Sequence, residues 1–276
     1  MISILSDFGL DDTYVSAMKA VIHSIAPTEE LLDLTHNIPP GDILRAAVEL
    51  WRVAPVLPPG TVVLAVVDPG VGTDRKAVAF QTSRFTCVGP DNGLFSFLLD
   101  QGDPGRIVEL SNPEYWSGLR STTFHGRDIF APAAAHLANG VRLEKLGPGL
   151  KQLLRLPDPI LQMEAGQSMQ GEILYADRFG NFVSSIGVLS LRDQQLRLAP
   201  WIGGYPPVEA KVNNPTVLLP GGERVNFHSA FGEVPEGSLI AYIGSSGLLE
   251  LAVNGGSASE ITGLRRGEHI ELRLQG

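Results

Sequence analysis

The chain has 276 residues, is 43% hydrophobic and carries a net charge of −9, so it can fill one large core or two ordinary ones. Its 21 Lys and Arg form no dense cluster against 30 Asp and Glu, which argues against a phosphate-tracking nucleic-acid surface and mildly favours cationic ligands. A single cysteine, Cys87, excludes an internal disulfide, and no Cys or His spacing of zinc type occurs.

No segment reaches the roughly 18 apolar residues needed to span a bilayer. The opening "MISILSDFG" has neither a basic region nor an apolar stretch of signal length, so a cytoplasmic location is expected.

In chain order, "ISILS" predicts a strand. Tyr14, Met18, Val21, Ile22 and Ile25 then fall on one helix face, with Asp11, Asp12 and Thr13 placed to cap its start. "ELLDLT" predicts a second strand. Ile43, Ala46, Ala47, Leu50, Val53 and Ala54 mark a second helix, closed by Pro55. "TVVLAVV" is β-branched and apolar on both faces, as a central parallel strand should be. Strands "KAVAFQT" and "RFTCVG", helix "GLFSFLLDQ", strand "RIVEL" and helix "RDIFAPAAAHLANG" follow, the last starting near Ile129 because of Pro132. Cys87 reads as a buried thiol.

This alternation predicts an α/β domain over 1–157 with a doubly wound, mostly parallel sheet. From about residue 168 the texture changes to eight short strands separated by glycine-rich turns. They predict a smaller antiparallel β-barrel over 158–276.

Ligands of open α/β sheets bind at the carboxyl ends of strands. Three such ends draw attention. "SDFGLDD" places Asp7 directly after the first strand, where a carboxylate with two acceptor oxygens can take both hydroxyls of a ribose diol. "VVDPGVGTDR" places Asp68 after the third strand and returns Arg75 through a Pro-Gly turn. "TFHGRD" offers His125 before the last helix. Each also has a structural reading: Asp7 and Asp68 as turn formers, Asp12 as a helix cap, Arg75 as a solvated cation, His125 as a satisfied turn histidine. His36 and His136 read as structural. Asp7, Asp12, Asp68 and a histidine lack metal-ligand spacing, so no metal is expected. None of the three matches a dinucleotide or P-loop cradle. In the second half, "ADRFGN" alternates Asp177, Phe179 and Asn181, which an extended segment would turn to one side. Phe179 could stack on a base and Asn181 read an adenine edge. "IGSSG" and "NGGSA" add Ser245, Ser246 and backbone groups freed by glycine, or are plain hairpin turns.

The set "SDFGLDDTYVSAMKAVI", "DLTHNIPPGDI", "VVDPGVGTDR", "VGPDNGL", "TFHGRDIFAP", "DRFGNFVSSI" and "YIGSSGLLELAVNGGSA" resembles the S-adenosyl-L-methionine hydroxide adenosyltransferases, hydrolase relatives of the fluorinase and chlorinase. The resemblance runs in order through nearly the whole chain. It implies an α/β domain and a β-barrel domain, assembled as a homotrimer with active sites between subunits. It also implies hydrolysis of S-adenosylmethionine (SAM) to adenosine and methionine without a cofactor. By motif, Asp7 resembles the ribose carboxylate and Asp12 the partner of the methionine ammonium. Asp68, Arg75 and His125 resemble the set that handles water. Asp177, Phe179, Asn181, Phe227, Ser245, Ser246 and the backbone of Gly255 match substrate-binding positions.

The departures discriminate within the family. The halogenases carry tyrosine where this chain has Asp68, lack the histidine found here as His125, and the fluorinase has a tryptophan where Gly41 stands and an insertion after "DPGVGTDR". Ser246 replaces an arginine of the halogenase pattern. A halide beside Asp68 would be repelled by roughly several kcal/mol in a low dielectric, whereas water would not. A halogenase and a non-catalytic SAM- or adenosine-binding regulator remain the rival expectations.

Overall fold

The computed structural model describes residues 1–99, 104–119, 121–164 and 168–275. It falls into two compact units, Met1–Leu156 and Pro157–Gly276.

The first unit is three-layered. β1 (Ile2–Ser6), α1 (Tyr14–Ile25), β2 (Leu31–Thr35), α2 (Ile43–Val53) and β3 (Val62–Val66) open it. The hairpin β4 (Ala77–Gln81) and β5 (Thr86–Pro90) follows, then α3 (Ser96–Leu99), β6 (Ile107–Glu109), α4 (Ala131–Ala138) and β7 (Gly149–Leu150). The predicted helix "GLFSFLLDQ" forms over Ser96–Leu99, and its last two residues lie outside the described part. The sheet order is β2-β1-β3-β5-β4-β6-β7.

As expected, β2, β1, β3 and β5 are parallel, and β4, β6 and β7 extend the sheet through antiparallel pairings. The reversal at β4 is local. Thr82 accepts from the Phe85 N–H and closes a tight turn between β4 and β5, too short for a parallel crossover. Helices cover both faces, as a doubly wound fold requires. Met18, Ile22, Phe130 and Ala131–Ala135 pack on one, and Ala46, Leu50, Leu94 and Leu98 on the other. Phe80, Phe97 and Phe130 are fully buried, each contributing about 1.5–3 kcal/mol relative to exposure. Cys87 is buried, and burial pushes its thiol well above the ordinary range.

Two helix starts differ from expectation. Thr13 is the N-cap of α1 without a side-chain cap bond, so the acidic run before it does not act through capping there. Ahead of α4, Gly126–Phe130 forms a single π-turn, and Pro132 then sits in the first turn of α4, where no N–H is missed.

The second unit is antiparallel. Its strands are β8 (Leu161–Glu164), β9 (Ser168–Ala176), β10 (Phe182–Ser184), β11 (Leu189–Arg192), β12 (Gln195–Leu198) and β13 (Val208–Lys211), then β14 (Thr216–Leu218), β15 (Arg224–Asn226), β16 (Leu239–Ile243), β17 (Leu249–Val253) and β18 (His269–Arg273). A short helix α5 (Ala258–Thr262) precedes the last strand. The main sheet runs β15-β14-β18-β9-β10-β17-β16, and a bridge from Phe227 to Ala241 brings its two edge strands together, which makes it barrel-like. β11, β12 and β13 form a separate meander whose first turn holds Asp193 and Gln194 at positive φ, the geometry of a two-residue hairpin.

Candidate active site

β1 and β3 are parallel neighbours in register Ser6 to Val66, so their carboxyl ends lie side by side. Each strand then delivers one aspartate: Asp7 one residue past Ser6, Asp68 two past Val66. From β1 the chain crosses to β2, then returns over the other face to β3, which makes this the topological switch point of the sheet. A cleft of about 490 Å³ opens there, lined by Asp7, Phe8, Tyr14, Pro40, Gly41, Asp68 and Pro69.

Asp7 is held by the loop after β2. Its Oδ2 accepts the Gly41 N–H at 2.8 Å, and Gly41 adopts φ +74. Ser6 and His36 tie the same loop to the end of β1 through a buried 2.7 Å hydrogen bond. This is the structural role expected of His36. Burial is the main influence on Asp7 and raises its pKa; the Gly41 N–H opposes this, and the charge of Asp68 adds to it.

Asp68, Arg75 and His125 form one hydrogen-bonded chain. Arg75 Nε donates to Asp68 Oδ1 at 2.8 Å and Oδ2 at 3.0 Å, its Nη2 also donates to Oδ2, and the same Nη2 reaches His125 Nδ1 at 2.9 Å. The Arg75 and Asp68 side chains are only 9% and 6% exposed, so this pair is desolvated rather than a surface contact. Arg75 also stacks on Phe130, 5.1 Å from the ring centre. A guanidinium only donates, so His125 Nδ1 must accept and the ring proton must sit on Nε2. Burial lowers the His125 pKa, and the neighbouring Arg75 charge lowers it further, so the ring is neutral at pH 7.

Two glycines make the approach of the loops possible. Gly72, at φ +79, lies so close to the next loop that a Cβ would come within 2.8 Å of the Thr122 carbonyl. Gly126, directly after His125, would bring a Cβ within 3.1 Å of Met18 and Phe124. Asp128, one turn on, is buried. It accepts from Arg127, the Ser121 N–H at 2.7 Å and the Ser117 hydroxyl at 3.1 Å, fastening the loop that leads into His125. Sequence reasoning did not single out Asp128 or Gly72; the Arg-Asp pair after "HG" and the second glycine of "DPGVG" were the available signals. Asp12 is exposed and is not among the residues lining the cleft. His136 stacks edge-on with Tyr115, 5.1 Å between ring centres, a structural setting as expected.

In the second unit, "ADRFGN" is a turn, which corrects the extended segment expected there. Asp177 Oδ1 accepts the N–H groups of Phe179 at 2.8 Å and Asn181 at 2.9 Å, and Asn181 Nδ2 donates to Asp177 Oδ2 at 3.2 Å. Asp177 and Asn181 therefore fold onto each other, while Phe179 projects with 74% exposure. Gly180, at φ +82, packs where a Cβ would overlap Ser257. Ser245 and Ser246 occupy the β16–β17 turn, closed by a 2.8 Å bond from Gly247 N–H to the Gly244 carbonyl. Ser245 is exposed, while Ser246 Oγ is buried with no hydrogen-bond partner among the described residues. Beneath that turn lies Glu250, a buried carboxylate that accepts the Tyr242 hydroxyl at 2.5 Å and whose Oε1 fills the space a Cβ on Gly244 would need. Sequence reasoning missed it inside an apolar strand. Phe227 sits at the barrel-closing bridge and Gly255 in an exposed turn at φ +71.

The model of the SAM hydroxide adenosyltransferase N-terminal domain matches residues 2–147, and that of the C-terminal domain matches 171–271. The chain belongs to the SAM hydroxide adenosyltransferase family. Within it, the chain is 47% identical to an (R)-S-adenosyl-L-methionine hydrolase of Thermus thermophilus, covering 97% of both. It is 38% identical to one of Salinispora arenicola, covering 98% of this chain and 97% of that one. A fluorinase of Nocardia brasiliensis is more distant, 25% identical over 99% of this chain and 97% of its own. A crystal structure of an uncharacterized conserved protein from Thermotoga maritima superposes with a TM-score of 0.85 at 34% identity, covering 99% of each chain. The two family models fall one on each compact unit. Among the described residues no helix is long and apolar enough to cross a membrane.

Proposed function

We propose that the chain hydrolyses SAM. Water attacks C5′, the C5′–S bond breaks with its electron pair moving to sulfur, and adenosine, methionine and one proton result. The observation that carries this reading is the Asp68–Arg75–His125 chain at the same cleft as Asp7, in a family with SAM hydrolases at 38–47% identity.

The cleft geometry supports the roles of Asp7, Asp68, Arg75 and His125, and the family resemblance those of the other residues. A sulfonium leaves without acid assistance, so the task is to place water in line and take its proton. Placement supplies about 7–11 kcal/mol and a base about 10²–10⁴-fold. Asp68 borders the cleft and is the acceptor for that proton. His125 is protonated on Nε2 and engaged through Nδ1, so it acts as a positioning residue through Arg75, which in turn fixes the carboxylate. Asp7 takes the ribose hydroxyls and Asp12 the methionine ammonium. Phe179, Asn181 and the Gly255 backbone hold adenine; Asp177, Phe227, Ser245 and Ser246 complete the substrate contacts. No cofactor is invoked, because the positive sulfur already activates C5′. By family resemblance the working form is a cytoplasmic homotrimer with sites shared between subunits.

The test incubates the protein with SAM in ¹⁸O-water, with and without chloride. Adenosine labelled at the 5′ oxygen, plus methionine, is expected in both. A chloride-dependent 5′-chloroadenosine product, or binding without turnover, refutes the proposal.

A further inference from the structure

We infer that Tyr14, backed by Phe8 and Phe124, is the element that distinguishes the positive sulfur of the substrate from a neutral thioether; the inference rests on the SAM reading above. Tyr14 and Phe8 line the cleft together with Asp7 and Asp68. Tyr14 is the open side of an aromatic trio. Its ring centre lies 5.1 Å from Phe124, edge-on, and 5.6 Å from Phe8, while Phe8 and Phe124 are 5.7 Å apart. Phe124 is capped on its own account by Arg127, 5.2 Å from the ring centre. Tyr14 stays 47% exposed in the same structure.

The charges of the cleft do not favour a cation strongly by themselves. Asp68 is matched by Arg75 with three donor contacts. Asp7 is half-buried, bound by the Gly41 N–H, and its pKa is raised by burial. An aromatic ring attracts a cation through its quadrupole without adding a competing base or hydrogen-bond acceptor, and a sulfonium, which has no N–H or O–H to donate, suits it better than an ammonium. Reaction removes the positive charge, so the same contact holds the substrate and loosens on the thioether product. Two exposed carboxylates, Asp11 and Asp12, precede the ring and add a general attraction that its removal leaves in place.

The experiment measures binding of SAM and of S-adenosylhomocysteine, its neutral thioether counterpart, to the wild-type chain, Tyr14→Phe and Tyr14→Leu. Initial rates give the KM for SAM and the inhibition constant for the thioether, and a melting curve checks each fold. Tyr14→Leu should weaken SAM by roughly three- to thirty-fold, with the thioether changed less than twofold. Tyr14→Phe should behave as wild type. Equal weakening of both ligands in Tyr14→Leu, no change in either, or a Phe variant that resembles Leu overturns the inference. A wild-type chain that neither binds nor turns over SAM overturns the functional proposal and this inference with it, whereas wild-type turnover with an unchanged ligand ratio overturns this inference alone.

Discussion

The two units hold their candidate residues in different ways. In the first, Asp68, Arg75 and His125 are locked in a part-buried hydrogen-bonded chain anchored at the end of β3, and Asp7 is fixed by a backbone N–H at the end of β1. In the second, Asp177, Phe179, Asn181, Ser245 and Gly255 lie on turns between antiparallel strands, with Phe179 and Ser245 open to solvent. Groups that move a proton need sub-ångström placement, which packed strand ends supply. Groups that grip a flat base need reach and area, which turns supply. The Asp68–Arg75–His125 chain should therefore govern kcat, whereas the turns of the second unit should act on KM alone.

The strongest break of that contrast is at Asp68. Asp68→Ala removes the proposed proton acceptor and leaves Arg75 without its carboxylate. Turnover should fall by about 10²–10⁴-fold while SAM affinity changes little, as single-turnover assays and a binding titration would reveal. Asp68→Ala with near-normal kcat would remove the site assignment. Asp7→Asn comes next. Asparagine can still accept the Gly41 N–H but no longer offers two anionic oxygens, so substrate affinity should drop by roughly ten- to a hundred-fold, as loss of charged hydrogen bonds predicts. Folding should not suffer. The pKa of Asp7 is raised by burial, so its ionised form costs stability above that pKa, and the neutral variant should melt at the same temperature or higher. A lower melting temperature would show that the carboxylate serves the fold instead.

Phe179→Ala probes the other side of the contrast. The side chain is largely exposed, so stability should hold, while loss of one stacking face should raise KM about tenfold with kcat unchanged. If kcat falls and KM does not, the division of labour between the units is wrong.

Where the sequence was legible, one local force decided the outcome. Asp68 follows a run apolar on both faces and Asp7 a short, mostly apolar one, so their placement at the carboxyl ends of strands could be read in advance, whereas the adjacency of the two strands could not. It misled where a side chain competed with the backbone. Period-two alternation in "ADRFGN" suggested an extended segment, but Asp177 captured two backbone N–H groups and made a turn. The strands Leu161–Glu164, Leu189–Arg192 and Thr216–Leu218 went unread because each is only three or four residues long, too short for its own pattern to stand out from the flanking turns. The buried Glu250 was illegible for a different reason. A tertiary partner, Tyr242, eight residues away on the neighbouring strand, helps explain why a carboxylate is tolerated there.

The smallest effect concerns the tautomer of His125, and it sharpens the contrast within the first unit. Arg75 cannot accept a hydrogen bond, so the contact at Nδ1 exists only while that nitrogen is unprotonated. Protonation would set two cations against each other in a partly buried place, and burial and Arg75 both lower the pKa from its ordinary 6.5. The unfolded chain therefore binds this proton more readily than the folded one. The associated stability is fully present above the unfolded value and is lost as pH falls through the folded one. Nitrogen-15 shifts of the ring should report a neutral imidazole with its proton on Nε2 at pH 7 and a midpoint below 6.5. Turnover should decline over the same interval. A midpoint at or above 6.5, or a proton on Nδ1 at neutral pH, would mean that the ring is not engaged with Arg75 in solution, and His125 would then be free to act as the base in place of Asp68.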